Sequence, residues 1–379
     1  MAQPFYQNFK LGILGGGQLG RMLIQSGIDL NIDFSILDPD PAAPCHSLPG
    51  FSTGSLTDYQ TVLEFGKKCD LITIEIENVN SDALKELQKL GKKVYPQPHI
   101  IELIQDKRLQ KEFYLREGIP TAPFVLTQNR HEVKQNLSFL PAVNKLGKEG
   151  YDGRGVQILR NENDIEKAFD APGFVERLID FKKEIAVIVA RNTRGEVTSY
   201  PPVEMIFHTE ANLVEYLFAP AEIDEDIRNA ADRIARSVIE KLEMIGLLAV
   251  ELFVTKEGQV LVNEIAPRPH NSGHQTIEGN VTSQYEQHLR AVLNLPLGDT
   301  AIVKPSAMIN LLGSEGYNGE ARYDGIEEVL RIEGAHIHLY GKKYTKPFRK
   351  MGHVTIIDDD AKSLKEKVKF VKDNLIVRA

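Results

Sequence analysis

The alternation of apolar and polar positions divides the chain into short strand-like and helix-like segments. Residues 9–14 form an apolar strand pattern. A glycine turn at 15–20, a helical pattern over 19–29 and a second strand over 31–37, ending at Asp38, follow it. Residues 70–76 read as another strand and 81–90 as a helix with Ser81 as N-cap. The run Tyr95-Pro96-Gln97-Pro98 marks a linker, and 100–117 reads as one helix stopped by Gly118 and Pro120. Strands are expected around Lys145, at 174–179 and at 185–190. Over 223–242, Ile227, Ala231, Ile234, Val238 and Leu242 recur every three or four residues, the mark of an amphipathic helix, with Asp224 placed to cap it. Strands at 304–313, 336–340 and 353–357 and a helix at 361–375 close the chain.

The most informative stretch lies between these, at 247–274. Residues 248–255 and 259–265 read as the two strands of a hairpin around Gly258. A two-residue loop at Glu257 and Gly258 places Glu251 directly opposite Glu264, with Asn263 beside them. Two carboxylates roughly 4.5–5.5 Å apart repel unless a cation joins them, and a few oxygens facing phosphates suit Mg²⁺. A one-residue change of register separates them, leaving a solvated acidic face as the alternative. The loop that follows gathers Arg268, His270, Asn271, Ser272 and His274 between prolines and Gly273, enough donors to hold an anion.

Length and composition narrow the classes. At 379 residues, two or three domains are expected. A net charge of −8 argues against general affinity for nucleic acid or anionic membrane. No apolar run approaches the ~20 residues of a membrane span. Cys45 and Cys69 fit no zinc or disulfide pattern, and no signal pattern precedes the first strand, so a cytoplasmic protein is expected.

Four further stretches could carry chemistry. Gly15, Gly17 and Gly20 spell G-x-G-x-x-G, with Asp38 eighteen residues on, so an NAD-dependent oxidoreductase is one reading. Gln18 and Arg21 add polar reach there. Glu75, Glu77 and Asn78 end a strand where doubly wound sheets present ligand groups, or form a capping cluster. Residues 143–157 give a strand with Lys145, then Gly147, Gly150, Gly153 and Gly155 interleaved with Tyr151, Asp152 and Arg154, then a second strand. Such a loop can fold over a polyphosphate, or be only a flexible turn. Lys342, Lys343, Lys346, Arg349 and Lys350 form the densest basic patch, an anion site or a solvated loop.

The set resembles the ATP-grasp superfamily. Within it, GGGQLGRM at 15–22, GYDGRG at 150–155 and NEIAPRPHNSGH at 263–274 are similar to the N5-carboxyaminoimidazole ribonucleotide synthetases of purine biosynthesis. The resemblance implies an α/β fold: a Rossmann-like domain over 1–100, an ATP-grasp domain over 101–300 and a small, mostly-β domain over 301–379. It implies ATP, Mg²⁺ and bicarbonate, with the exocyclic amine of 5-aminoimidazole ribonucleotide carboxylated through carboxyphosphate, and a homodimer.

Carried over by residue, the resemblance gives Lys107, Lys145 and Asn263 to the ATP phosphates. Gly150, Tyr151, Asp152, Gly153, Arg154, Gly155 and Val156 become the lid. Glu176, Arg177, Leu178 and Ile179 face adenine, Glu184 the ribose, and His208 lies near the nucleotide. Glu251 and Glu264 bind Mg²⁺. Gln18, Leu19, Glu75, Asn78, Tyr151, Asn271, Ser272 and Lys350 touch the acceptor. Asp152, Arg154, Lys343 and Arg349 hold or activate it, and Arg268 and His270 orient bicarbonate. Three departures stand out: Glu149 and Phe348 occupy usual glycine positions, and Lys107 replaces an arginine found in some members. A third reading is a nucleotide-binding regulator without turnover.

Overall fold

The structure, a computed structural model, describes residues 9–148, 155–208 and 213–379. The N-terminal unit is a five-stranded parallel sheet in the order Phe51–Thr53, Asp33–Asp38, Lys10–Leu14, Leu71–Ile74, Lys93–Val94. Its central strands are buried on both faces, as apolar runs in parallel sheets require. Helix Gln18–Ile28 begins directly after the first strand, so the glycine turn lies at the carboxyl edge of the sheet. Helix Ser81–Lys89 is capped by Asn80, not Ser81. The Asn80 side chain accepts from the Ala83 amide at 2.9 Å, while the Ser81 hydroxyl goes to Glu102. Asp224 occupies the N-cap position of Glu225–Lys241, but its side chain makes no capping bond.

The expected helix over 100–117 is two helices, Pro98–Gln105 and Lys107–Glu117. Asp106 breaks them with an extended backbone at φ −125° and ψ 103°. Its carboxylate accepts from the Arg108 amide at 3.0 Å and pairs with the Arg108 guanidinium at 2.6 Å. A side-chain cap thereby replaces the missing backbone bonds. The break makes Lys107 the first residue of a new helix, with its amide donating to Gly147 O at 2.7 Å.

Two antiparallel sheets follow. The smaller runs in the order Phe124–Thr127, Gly173–Arg177, Ala142–Leu146, Val156–Leu159, and its last two strands form the base of the glycine-rich hairpin. The larger is nine-stranded. It runs from the return strand Val260–Ala266 through Gly246–Thr255 and Phe181–Arg191 to Val203–Phe207 and Val214–Ala219. It continues without a break into Ser306–Leu312, Lys350–Ile357 and Ala335–Leu339, with Val197–Ser199 beside Phe181–Arg191. The C-terminal strands thus extend the central sheet at the end opposite the acidic hairpin in strand order, yet the charge of Lys350, at the start of Lys350–Ile357, reaches Glu251. Helix Glu225–Lys241 packs Ile227, Ala231, Ala235, Val238 and Ile239 onto this sheet, and Ala361–Asn374 covers the C-terminal strands with Leu364, Val368 and Val371. Among the described residues, no helix is long and apolar enough to cross a membrane.

Candidate active site

Glu251 and Glu264 are indeed paired across the hairpin, but the turn does not pair them. The loop is three residues long: the Thr255 amide donates to Gln259 O, and the ladder then matches Val254 with Val260 and Leu252 with Val262. Continued in that register, Glu251 would face Asn263. A bulge between Glu251 and Leu252 on the ladder, absorbed by the extra residue Asn263, moves the pairing on by one and sets Glu251 opposite Glu264. Bulges of this kind turn two successive side chains toward one face. Asn263 and Glu264 accordingly both meet lysines: Lys145 Nζ donates to Asn263 Oδ1 at 3.1 Å, and Lys107 Nζ to Glu264 Oε2 at 2.9 Å.

The two glutamates are electrostatically unlike. Lys107 holds the Glu264 carboxyl well below the usual range. Burial, and then the charge of Glu264, push Glu251 up. Glu251 touches His270, with Nε2 to Oε1 at 3.3 Å. The Ser272 amide donates to His270 Nδ1, which leaves the ring proton on Nε2, facing Glu251. Burial lowers His270 to about 3, so the ring is neutral. Glu184, on the neighbouring strand, is raised to about 7 by burial.

Lys145 and Lys111 share a third carboxylate. Glu176 accepts Lys145 at 2.7 Å and Lys111 at 2.6 Å. Burial works against this charge, but Lys145 and Lys111 outweigh it and keep Glu176 ionised. The carboxylate expected to face adenine is therefore turned inward onto the lysines. Arg177 lies over the Phe139 ring at 5.8 Å, and the Leu178 amide donates to Pro141 O at 3.0 Å. That amide is engaged, so a ligand at Leu178 would meet its carbonyl. Ile179 follows it, just before Phe181–Arg191. At the hairpin base, Leu146 N donates to Gly155 O, and Lys145 faces Val156. Glu149, Gly150, Tyr151, Asp152, Gly153 and Arg154 lie outside the described residues.

The N-terminal unit contributes Glu75 and Glu77. Glu75 accepts from the Leu19 amide at 3.2 Å, with Gln18 just ahead of it in the helix, and burial raises its carboxyl against the opposing charges of Arg268 and Lys342. Arg268 pairs with Glu77 at 2.8 Å. Asn78 is exposed at the rim. The C-terminal charges that act on Glu251 and His270 come from Lys350, and the one on Glu75 from Lys342. Lys343 instead sits exposed, 5.4 Å from the centre of the Tyr344 ring, and Arg349 donates to Tyr344 O at 2.7 Å. His208 packs edge-on against Phe348 at 5.4 Å between ring centres. Asn271 and Ser272, expected at the acceptor, face inward. Asn271 exchanges amide bonds with Asn310 at 2.8 and 2.9 Å, and the buried Ser272 hydroxyl bonds His270 Nδ1 at 2.9 Å. They brace the loop that carries Arg268 and His270.

Comparison with known proteins agrees with this arrangement. Family models match the chain as a ribonucleotide synthetase preATP-grasp domain (9–105), an ATP-grasp domain (112–285) and a phosphoribosylaminoimidazole carboxylase C-terminal domain (306–367). The N5-carboxyaminoimidazole ribonucleotide synthase of Bacillus subtilis is 36% identical over 94% of this chain and 93% of its own length. The chain belongs to the N5-carboxyaminoimidazole ribonucleotide synthetase family. A crystal structure of the Thermotoga maritima synthetase superposes with a TM-score of 0.90 at 42% identity, covering 98% of this chain and 99% of that one. The Aspergillus clavatus synthase, solved in complex with ADP and 5-aminoimidazole ribonucleotide, gives 0.87 at 34% identity, covering 97% and 98%. The yeast and plant phosphoribosylaminoimidazole carboxylases it also matches are longer, and the chain spans about two thirds of them (65–69%).

Membership in this synthetase family removes the NAD reading, and the glycine turn shows why it fails physically. Asp38, which would have to bind a ribose, accepts the Gly16 amide at 2.6 Å and the Asp40 amide at 2.8 Å. Glu75 fills the space beside Gly17, where an added Cβ would lie 2.3 Å from Oε1. Two carboxylates occupy the place of a pyrophosphate. Lys111 and Lys342 belong to the site's charge network but had no site role of their own in the sequence, Lys342 being counted only within the basic patch. Lys111 lies one helical turn after Lys107, a spacing that places both on one face. Nothing distinguished Lys342 from its basic neighbours.

Proposed function

We propose that this chain carboxylates the exocyclic amine of 5-aminoimidazole ribonucleotide, consuming ATP and bicarbonate and releasing ADP and phosphate. The observation that carries the reading is the bulged hairpin, where Glu251, Asn263 and Glu264 share one face and meet Lys107 and Lys145. Among the described residues no cluster of three or more acidic, His or Cys side chains forms a complete metal cage. Two carboxylates and a neutral oxygen fit Mg²⁺, which keeps open positions for substrate phosphates. Bound there with ATP, Mg²⁺ supplies positive charge against the phosphoryl oxygens.

The residues of the chain supply the rest. Lys107 and Lys145 exchange carboxylate partners for phosphate oxygens and hold charge that develops in transfer. Bicarbonate oxygen attacks the γ-phosphorus, the bond to ADP breaks, and carboxyphosphate forms. Arg268, fixed by Glu77, and neutral His270, fixed by Ser272, line the place where the bicarbonate must sit. Carboxyphosphate gives phosphate and carbon dioxide, which the acceptor amine attacks, losing one proton. Asp152 and Arg154 of the lid are assigned to that proton and to closure, and Lys343, Arg349 and Lys350 to the acceptor phosphate. Closure excludes water from a short-lived intermediate. A homodimer and a cytoplasmic setting complete the reading.

The test is phosphate release from MgATP with and without bicarbonate and acceptor. Release should require both, and ¹³C-bicarbonate should appear as a carbamate on the acceptor amine. ATP turnover indifferent to bicarbonate would reject the function.

A further inference from the structure

The buried ion cluster contains one lysine that the reaction does not use. Lys111 and Lys145 both hold Glu176, but their surroundings differ. The Lys111 side chain is 3% exposed and that of Lys145 11%. Besides Glu176, Lys111 Nζ donates to Thr121 Oγ1 at 2.7 Å, and Thr121 in turn donates to Val262 O at 2.8 Å. Its remaining face is closed by the rings of Phe124 and Phe174, each 5.6 Å away, and Tyr114 at 6.0 Å. Lys111 is thus tied to the strand that carries Asn263 and Glu264 and cannot swing into the cleft. Lys145 lies at the mouth, beside Asn263.

Glu176 is itself buried, and a buried carboxylate left without a cation is strongly destabilised. Lys145 can therefore leave Glu176 for a phosphate only if another cation stays behind. We propose that Lys111 is a positioning residue for ATP binding, the permanent counter-ion of Glu176 that releases Lys145 to the nucleotide. The inference rests on the ATP-dependent reading above. The arrangement makes the second cation a requirement: one carboxylate with one lysine would hold that lysine against the incoming phosphate, whereas one carboxylate with two leaves a net positive charge facing the cleft. Burial lowers the Lys111 ammonium, and Glu176 offsets only part of that lowering.

The test uses the full chain, with equilibrium binding of MgATP and of the acceptor nucleotide measured separately and unfolding followed alongside. Lys111→Met should weaken MgATP binding at least about tenfold, because Lys145 is then held by Glu176 alone, while acceptor binding stays within about twofold. The double variant Lys111→Met with Glu176→Gln removes the stranded charge. It should recover MgATP binding to within about threefold of the parent, and it serves if the single variant does not fold. A merely structural lysine predicts equal losses for both ligands or no recovery in the double variant, and either overturns the proposal. Failure of the parent to bind MgATP would instead reject the functional reading, and this inference with it.

Discussion

Two parts of this molecule carry the marks of a phosphate site, and they treat their polar groups in opposite ways. At the glycine turn the Gly16 and Leu19 amides are held by Asp38 and Glu75, and the Glu75 side chain occupies the space beside Gly15 and Gly17. At the hairpin the lysines are also paired, Lys107 with Glu264, 44% exposed at the mouth of a cleft, and Lys145 with the buried Glu176 that Lys111 also holds. An amide committed to an internal carboxylate cannot take a phosphate without stranding that carboxylate. A lysine can trade one anion for another, provided the first keeps a cation. What makes a phosphate site is therefore the state of its donors before the ligand arrives. Glycines and lysines in the right order are not enough.

Removing a hairpin charge should have the largest effect. Glu264→Gln and Glu251→Gln should each lower turnover about a hundred- to a thousandfold at limiting magnesium. The double variant should be little worse, since both act on one ion. The unliganded fold separates the two single variants: Glu251→Gln removes the carboxyl that burial and Glu264 push up and should leave the melting temperature unchanged or raised, whereas Glu264→Gln also strands Lys107 and should lower it. Near-normal turnover in either single variant would make the pair a solvated face after all.

The two regions are joined by a buried histidine, whose contribution can be read by acid. His288 Nε2 meets Thr73 Oγ1 at 2.9 Å, linking the strand below the glycine turn to helix Gln284–Val292. Burial lowers His288 to about 4. The unfolded chain takes up this proton near its ordinary value and the folded chain does not, so stability is lost as pH falls from about 6.5 to about 4. His288→Gln should recover about 3 kcal/mol of that acid loss, measured by denaturant unfolding at pH 7 and pH 4. An acid limb of unchanged slope would show that the proton is taken up elsewhere.

Much of this was legible in the chain, for reasons that can be named. The parallel sheet followed from apolar runs and a glycine turn, and the facing glutamates from counting along the hairpin. That count reached the right pair by a wrong route, since a longer turn and a bulge cancel. The chain hid the bulge: Val260, Leu261 and Val262 are all apolar, so only burial, which alternates along the strand except at Asn263 and Glu264, reveals it. Asp106 gave less warning, because a helix can break at a side-chain cap without glycine or proline. Asp38 and Glu75 gave none, being 22 and 56 residues from the amides they satisfy. Asn271 and Ser272 read as ligand donors because burial cannot be seen in a polar loop.

Within the basic patch, Arg349→Ala should cost about 1.5–3 kcal/mol of acceptor binding if its guanidinium leaves Tyr344 O for the acceptor phosphate. Lys343→Ala should cost the same only if that exposed side chain turns inward. MgATP binding should be unchanged in both. Equal acceptor affinity in the two variants and the parent would return the patch to solvent. At the glycine turn, Gly17→Ala pushes Glu75 aside. It should weaken acceptor binding about tenfold, leave MgATP binding intact and create no NAD binding. Saturable micromolar binding of NAD to the parent would overturn the contrast between the two regions.

Phe348 has φ 61°, in the left-handed region where a side chain is strained, and its ring packs on His208. Its amide donates to Gly313 O at 2.8 Å, which fixes the bend. Phe348→Gly relieves about 1 kcal/mol of backbone strain, but it loosens the unfolded chain and removes the ring contact, each worth a similar amount. The net change in stability should therefore stay within about 1 kcal/mol. Phe348→Ala keeps the strain and loses the ring, so it should be the less stable of the two. Unfolding of both variants separates the terms: if alanine is tolerated as well as glycine, the bend is not held in the left-handed region, and the ring alone accounts for the residue.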